Sequence, residues 1–443
     1  MKNFYLSTSI LIASLLTGCI ELEEDSSTTL NNDTNISDGL TIPDGVEIGN
    51  VACTSDHSVA YLSSDLSNEY TTVLRVSDYT SNTIELIENG SISSSNVLST
   101  VDSDYVYIGR EDHLYQVGRK NIDTIQKFYK TAVNENSGLF QTDNGLGFSL
   151  RDAGVAESPN PYDIGFINDT IAVIARYGKN KAWLVNLNAQ QEEDFKLCEI
   201  DLSHYTTSST DAGGNTTVSP PNMFSVNVNE QYVAITMQRL DGFSAVNSAY
   251  VSIFDLNTWE EVDTNLNDAD NNLKGIQLNL KNPQSNAQTG NDIYLGSFIY
   301  NSAYGCETGE TGIEKISLDT LSSTTVDNTT CYQAITATSD GKIFAVDNHS
   351  SYYGEAGSNT LFEINGTTKT AVTDFENTTI ETVSAYGNDL WYSLPQETSG
   401  SGDSLVVTRD FEVGQINTTT NTKIAESVVS PTLTARSITF IEK

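Results

Sequence analysis

The sequence predicts an all-β protein built from repeated four-stranded units. Two patterns carry this prediction. Short segments of alternating apolar and polar residues recur from about residue 51 onward, and Asn, Asp and Gly separate them. Thr, Ser, Asn and Tyr are abundant while Lys, Arg and Met are scarce, which favours strands joined by polar turns over long amphipathic helices.

The repeated unit is clearest at residues 163–187, where three apolar strands follow one another and a tight turn at Asn168 joins the first two. Further copies span 223–258, 293–320, 334–366 and 381–418. In these copies the third strand ends in an Asp or Asn, namely Asp255, Asp319, Asn365 and Asn417, at spacings of 64, 46 and 52 residues. A four-stranded unit of this length is typical of one blade of a β-propeller.

The repeats resemble the YVTN-type and surface-layer-type seven-bladed propellers, whose third strands often end in such a turn. Two further blades fit at 51–95 and 96–133. The stretch 435–441 is an extra strand that would complete the first blade and close the ring. The expected fold is therefore a propeller of seven four-stranded blades over 51–443, although the variable length of the repeat also fits six or eight blades.

Residues 1–18 have the pattern of an export signal: the positively charged Lys2, an apolar run that is densest at 10–16, and small residues at the end of the segment. The run is too short for a permanent membrane-spanning helix. The junction Leu16-Thr17-Gly18-Cys19 resembles the lipobox of bacterial lipoproteins, which implies cleavage before Cys19 and lipidation of that residue. The alternative is a plain secretory signal followed by a chance Cys. Acyl chains would hold the protein on a membrane.

The residue after Cys19 is Ile20 rather than Asp, which in Gram-negative lipoproteins implies the outer membrane, on its periplasmic side or at the cell surface. Residues 19–50 are rich in Glu, Asp, Ser, Thr and Asn and contain few large apolar groups. Such a segment buries too little apolar surface to offset its ordering entropy, so we expect a lipidated, acidic, flexible tether.

The charge of the chain is strongly acidic, with 22 Lys and Arg against 59 Asp and Glu and a net charge of −37. A field of this sign repels phosphate backbones, which argues against nucleic-acid binding. Solubility in a saline medium explains the charge better than a specific cationic partner does.

Four cysteines remain besides Cys19, and an even number in an exported protein predicts disulfides. Three pairings of Cys53, Cys198, Cys306 and Cys331 are open. The expected strand order places Cys306 in a long second-to-third-strand loop and Cys331 just before the next inner strand, which brings both to one face of adjacent blades. Cys53 with Cys198 then follows by elimination, across non-adjacent blades.

The long insertions all fall in second-to-third-strand or inter-blade loops, which open on one face: 203–221, 238–248, 300–312, 349–358 and 395–403. This face is the candidate working surface, because binding residues concentrate on loops held by a rigid scaffold. The alternative is that insertions are merely tolerated there.

In the expected strand order, three of the eight arginines, Arg110, Arg176 and Arg239, follow second strands in consecutive blades. They could form a basic site for a carboxylate or another anion, or they could pair with neighbouring Asp and Glu. Tyrosines in the long loops suit contact with a protein or a glycan, or pack within the loops: Tyr300, Tyr304, Tyr352 and Tyr353.

No motif for catalysis, haem attachment, zinc or phosphate binding occurs in the sequence, and the four histidines are scattered. We therefore expect no catalytic residue, no metal site and no cofactor. Residues 268–272 superficially resemble a calcium loop, but the turn Gly and the distal Glu are missing, so an ordinary acidic turn is favoured. The leading hypothesis is a non-enzymatic envelope protein that binds another envelope protein or a glycan. The alternative is a periplasmic propeller enzyme, either lactonase-like or a quinoprotein-like oxidoreductase.

Overall fold

The protein is all-β, as a computed structural model shows, and its strands form antiparallel sheets. The structure describes residues 57–64, 72–80, 83–87, 105–110, 113–119, 122–130, 140–264, 273–299, 306–347, 359–376, 378–399, 406–424 and 434–442. The predicted signal, Cys19 and the tether 19–50 lie outside these residues.

Seven four-stranded sheets lie in the described part of the chain. From the inner strand outward, sheet 1 consists of β32 (Thr434–Glu442), β1 (His57–Ser64), β2 (Thr72–Thr80) and β3 (Thr83–Ile87). Sheet 2 consists of β4 (Tyr105–Arg110), β5 (His113–Gly118), β6 (Thr124–Lys130) and β7 (Phe140–Ser149). Sheet 3 consists of β8 (Pro161–Phe166), β9 (Ile171–Arg176), β10 (Lys181–Asn186) and β11 (Lys196–Asp201). Sheet 4 consists of β14 (Met223–Val228), β15 (Tyr232–Met237), β16 (Tyr250–Asp255) and β17 (Ile276–Gln277).

The remaining three sheets have the same strand order. Sheet 5 consists of β18 (Pro283–Thr289), β19 (Asp292–Ser297), β20 (Gly312–Ser317) and β21 (Ser322–Asp327). Sheet 6 consists of β22 (Tyr332–Ala337), β23 (Ile343–Asp347), β24 (Leu361–Asn365) and β25 (Thr368–Ala371). Sheet 7 consists of β26 (Thr382–Tyr386), β27 (Asp389–Leu394), β30 (Glu412–Asn417) and β31 (Thr422–Lys423). Two extra hairpins are β12–β13 (Thr207–Thr210, Thr216–Ser219) and β28–β29 (Glu397–Ser399, Val406–Arg409). Short 3-10 turns occupy Glu192–Asp194 and Ser203–Tyr205.

The inner strands of the seven sheets form a closed ring. They contact one another in the cyclic order β32, β4, β8, β14, β18, β22, β26 and back to β32. The C-terminal strand β32 pairs with β1 along its whole length, from Ser64 opposite Thr434 to His57 opposite Glu442. This arrangement confirms the predicted β-propeller and its closure by a C-terminal strand.

Side chains join the inner strands to one another. Thr439 Oγ1 on β32 accepts a hydrogen bond from Gly109 N on β4 at 2.7 Å. Thr336 Oγ1 on β22 accepts one from Ala385 N on β26 at 2.9 Å. These bonds satisfy backbone donors at the sheet edge that faces the ring axis, where each sheet lacks a strand neighbour.

The core lies between neighbouring sheets rather than at one central point. Val173 and Leu184 of sheet 3 pack with Val226 and Ile235 of sheet 4, and equivalent clusters join sheets 4 to 5, 5 to 6 and 6 to 7. The predicted turns after the third strands form as expected. Asp255 Oδ1, for example, accepts the N–H groups of the residues two and three positions later, at 2.8 and 3.2 Å.

The second blade is longer than the predicted 96–133, because its outer strand β7 ends at Ser149. Its first strand is β4, Tyr105–Arg110, so the prediction that this segment is a second strand is wrong. No helix within the described ranges is both long and apolar enough for a membrane span.

Candidate functional site

One end of the ring carries both extra hairpins and several long connections. In an antiparallel sheet successive connections alternate between the two ends, so second-to-third-strand connections and inter-sheet connections share an end. We call this end the loop face, and the described parts of its connections include 150–160, 177–180, 202–222, 238–249, 395–399 and 406–411. Both extra hairpins lie in these connections, so the prediction that the insertions share one face agrees with the strand order. Of the other predicted insertions, 300–305 and 349–358 lie outside the described residues.

An apolar projection stands on the loop face beside sheet 4. We define it as the hairpin 207–219 together with the turn 241–246. Phe243 is fully exposed at the tip of the turn, and Val246 and Val218 are about two-thirds exposed. Asp241 and Ser244 exchange backbone hydrogen bonds at 3.0 and 2.9 Å, which closes the turn beneath Phe243.

Hydrogen bonds fix the turn to the hairpin. Ser209 Oγ donates to Asp241 Oδ1 at 2.7 Å, and Thr207 Oγ1 donates to the carbonyl of Leu240 at 3.3 Å. The two parts therefore move together. A fully exposed aromatic side chain on a braced turn, with two exposed valines in the same projection, is a candidate contact residue.

Buried polar contacts support the base of the projection. Tyr205 is buried, and its hydroxyl donates to Glu261 Oε1 at 2.6 Å and accepts from the amide of Gly275 at 2.6 Å. His204 Nε2 lies 2.8 Å from Glu261 Oε2. Burial and the neighbouring carboxylate both raise the pKa of Tyr205 above its ordinary value, so the phenol stays neutral and keeps its bonds.

The three arginines proposed as a basic site do not come together. Arg110 ends the inner strand β4 and so lies at the end of the ring opposite the loop face, where it pairs with Asp169 at 3.0 Å. Its assignment to a second-strand exit was wrong. Arg176 is buried against Trp183 and pairs with Asp152 at 2.6 Å. Burial lowers the pKa of Arg176, and Asp152 acts in the opposite direction.

Arg239 has a structural role at the base of the projection. Its Nε donates to the carbonyl of Tyr205 at 3.0 Å and its Nη1 to that of Ser248 at 3.3 Å. The backbone of Arg239 has a positive φ of 52°, and its amide donates to the carbonyl of Pro221. Arg239 thus joins the stems of the two connections that form the projection.

Arg119 is the arginine that the sequence analysis missed. It follows β5, the true second strand of sheet 2, and therefore occupies the position wrongly given to Arg110. Its guanidinium carbon lies 3.6 Å from the centroid of the Tyr162 ring. A correct strand assignment in sheet 2 would have identified it, because Gly118-Arg119 ends the strand just as Ala175-Arg176 does in sheet 3.

A chain of aromatic and amide contacts extends from Arg119 across the starts of the inner strands. Tyr162 stacks on Tyr177 with centroids 4.8 Å apart. Tyr177 Oη donates to Gln238 Oε1 at 2.8 Å, and Gln238 Nε2, which is buried, donates to the carbonyl of Pro283 at 2.6 Å. The contacts connect four consecutive sheets, from sheet 2 to sheet 5. We call Arg119, Tyr162, Tyr177 and Gln238 the arginine–tyrosine cluster.

Asp163 lies one residue further along β8, between two inner strands. Its Oδ1 accepts from its neighbour Ile164 N at 2.9 Å and its Oδ2 from Val226 N of β14 at 2.8 Å. Burial raises its pKa from 3.8 to about 7, although the two amide donors act in the opposite direction. Asp163 therefore titrates near neutral pH.

A cavity of about 420 Å³ opens between sheets 5 and 6, and Tyr294, Lys315, Lys342 and Glu363 are among its lining residues. Both lysines are already bonded: Lys315 pairs with Asp292, and Lys342 donates to the carbonyl of Thr418. The described residues include no group of three or more His, Cys, Asp or Glu placed to hold a metal ion. The predicted acidic turn 268–272 lies outside them.

The predicted disulfide between Cys306 and Cys331 is present and joins the loop-face connections of sheets 5 and 6. Cys198 lies on β11 and packs against the core between sheets 3 and 4. Cys53 lies outside the described residues, so its pairing stays a prediction. Four predicted contact tyrosines also lie outside them: Tyr300, Tyr304, Tyr352 and Tyr353.

No protein-family model and no curated protein matches the sequence. Among solved structures, a candidate 6-phosphogluconolactonase from Bacteroides uniformis is 11% identical, with a TM-score of 0.52 over 87% of this chain and 99% of the other. A candidate 6-phosphogluconolactonase from Bacteroides fragilis is 15% identical, with a TM-score of 0.45 over 89% and 100%. A protein from Lactobacillus plantarum is 10% identical, with a TM-score of 0.48 over 87% and 100%. At these identities the similarity concerns the fold alone.

Proposed function

We propose that this protein is a lipoprotein of the bacterial cell envelope, anchored in the outer membrane through Cys19, whose propeller is a non-enzymatic binding or scaffolding platform. The anchor rests on the resemblance of Leu16-Thr17-Gly18-Cys19 to a lipobox. The acidic segment 19–50 would hold the propeller away from the lipid surface.

The observation that supports a binding role best is the apolar projection. Water-exposed Phe243 and Val246 cost solvation free energy unless a partner covers them. The hydrogen bonds to Ser209 and Thr207 hold the turn in place, so a partner would lose little conformational entropy on binding. An aromatic side chain with neighbouring valine suits an apolar groove on another envelope protein or the face of a glycan.

The anchor is tested with the variant Cys19→Ala. We expect the wild-type protein to incorporate a labelled fatty acid and to sediment with outer membranes. The variant should lose the label and leave the membrane fraction. Label-free wild-type protein in the soluble fraction would contradict the anchor.

The platform is tested by placing a photo-crosslinking amino acid at position 243 in cells. The control position is Leu197, which is nearly half exposed on the outer strand β11 and lies outside the projection. We expect a discrete adduct from position 243, with none from 197, and loss of the partner from affinity isolates of Phe243→Ser. Equal crosslinking at both positions, or hydrolysis of a sugar lactone by the purified protein, would contradict a non-enzymatic platform.

A further inference from the structure

Among the arginines whose side chains the structure describes, Arg119 is the one without a hydrogen-bond acceptor in the described part of the chain. Six arginine side chains are described. Four form ion pairs with Asp169, Asp123, Asp152 and Glu397, and Arg239 donates to two backbone carbonyls. In the described part of the chain Arg119 stacks on Tyr162 but its guanidinium donates to no acceptor, and its Nε is buried.

An unpaired, partly buried guanidinium is costly, and in this chain it is also unexpected. Carboxylates outnumber cationic side chains by 59 to 22, and four of the six described arginines pair with one. A buried donor without an acceptor loses hydration without compensation. A buried Nε without an acceptor also occurs in Arg110, Arg176 and Arg409, whose Nη2 atoms pair with carboxylates. Arg119 stands apart because its Nη atoms have no acceptor among the described residues, and a ligand could supply one.

Contacts around Arg119 fix the position of its guanidinium before any ligand binds. Tyr162 is fixed by its stack on Tyr177, and Tyr177 is fixed by its bond to the buried Gln238. The guanidinium therefore rests on a rigid aromatic base at the loop-face end of the inner strands. Its remaining donors form a planar fork that matches the two oxygens of a carboxylate or of a phosphate group.

We propose that the arginine–tyrosine cluster is a subsite for an oxyanion, a carboxylate or phosphate group of a small ligand, which Arg119 binds through its guanidinium. The net charge of −37 disfavours polyanions at long range, so the ligand carries one such group rather than many. The subsite is separate from Phe243 and from the lipid anchor, and it stands or falls independently of both.

The test is a titration of the purified protein with D-glucuronate, inorganic phosphate and D-glucose, followed by ligand-observed NMR. We expect glucuronate, phosphate or both to bind and glucose to show no Arg119-dependent signal. Arg119→Gln should weaken binding by about tenfold or more, because it removes a charge-assisted hydrogen bond. Arg119→Lys keeps the charge but loses the planar fork, so its affinity should be intermediate.

The matched control is Arg110→Gln. Arg110 also lies over an aromatic ring, Phe166 at 5.1 Å, but it is paired with Asp169 at the opposite end of the ring of sheets. Its removal should leave anion affinity unchanged. Circular dichroism and thermal melting confirm that each variant is folded, and Arg119→Lys provides the comparison if Arg119→Gln is not. Failure of the wild-type protein to bind either anion, or equal affinity in a folded Arg119 variant, would overturn the subsite.

Discussion

Removal of the Cys306–Cys331 disulfide should destabilise the propeller by about 3 kcal/mol. The two cysteines are 25 residues apart, and the loop-closure entropy of a bridge of that length corresponds to about 3.5 kcal/mol at 25 °C. The bridge joins the loop-face connections of sheets 5 and 6, whose inner strands also contact each other. Residual structure in the unfolded chain already limits its freedom without the bridge, so the expected loss lies slightly below the entropic value.

The assay is urea unfolding followed by tryptophan fluorescence. Cys306→Ser is the informative variant because Cys306 is half-buried, whereas Cys331 is buried and its replacement by Ser would add the cost of burying a hydroxyl group. The double variant Cys306→Ser/Cys331→Ser separates the two effects. An unfolding midpoint equal to that of the wild-type protein, under non-reducing conditions, would refute the argument that this bridge limits the unfolded ensemble.

Two further perturbations test the ring and its inner strands. The raised pKa of Asp163, about 7 against 3.8, means that the folded state retains a proton that the unfolded state releases between about pH 4 and pH 7. The contribution of the protonated Asp163 to stability is thus fully present below pH 4 and is lost as the pH rises through 7. Relative to the variant Asp163→Asn, the free energy of unfolding of the wild-type protein should fall by about 2–4 kcal/mol from pH 5 to pH 8. Parallel pH profiles of the two proteins would contradict this. Phe440→Ala in the closing strand should lower the free energy of unfolding, measured in urea, by about 3 kcal/mol, because Phe440 is buried and its ring centroid lies 5.4 Å from that of Tyr386. The control Leu197→Ala, at an exposed site, should change the free energy of unfolding by less than about 0.5 kcal/mol.

The fold could be predicted because its signals are local and repeated. Alternating apolar strands and polar turns recur along the chain, and the turns after Asp255 and Asn417 are closed by side chains that bind amides two and three residues later. The closing strand could also be identified, since 435–441 is a strand-like segment left over after the last complete unit. In the structure this segment lies in β32, which pairs with β1 of the first sheet.

Sheet 2 shows where local patterns fail. Tyr105–Arg110 alternates in the same way as a second strand, and no residue within it distinguishes an inner strand from its neighbour. If a strand is assigned one position too far outward in its sheet, the residue that ends it is placed at the wrong end of the propeller, because successive strands are antiparallel. Arg110 was therefore assigned to the wrong face, and Arg119 was overlooked.

The partners of the arginines could not be predicted either, because they are distant in sequence. Arg110 reaches Asp169, 59 positions away, and Arg176 reaches Asp152, 24 positions away. In a chain so rich in carboxylates, capture by an acidic side chain is the common outcome for an arginine, and such a pair is a poor guide to a ligand site. Among the described residues no carboxylate pairs with Arg119, and this is more informative than the presence of any pair. Tyr162 stacks on that guanidinium, and an oxyanion would supply the acceptor that the described residues do not.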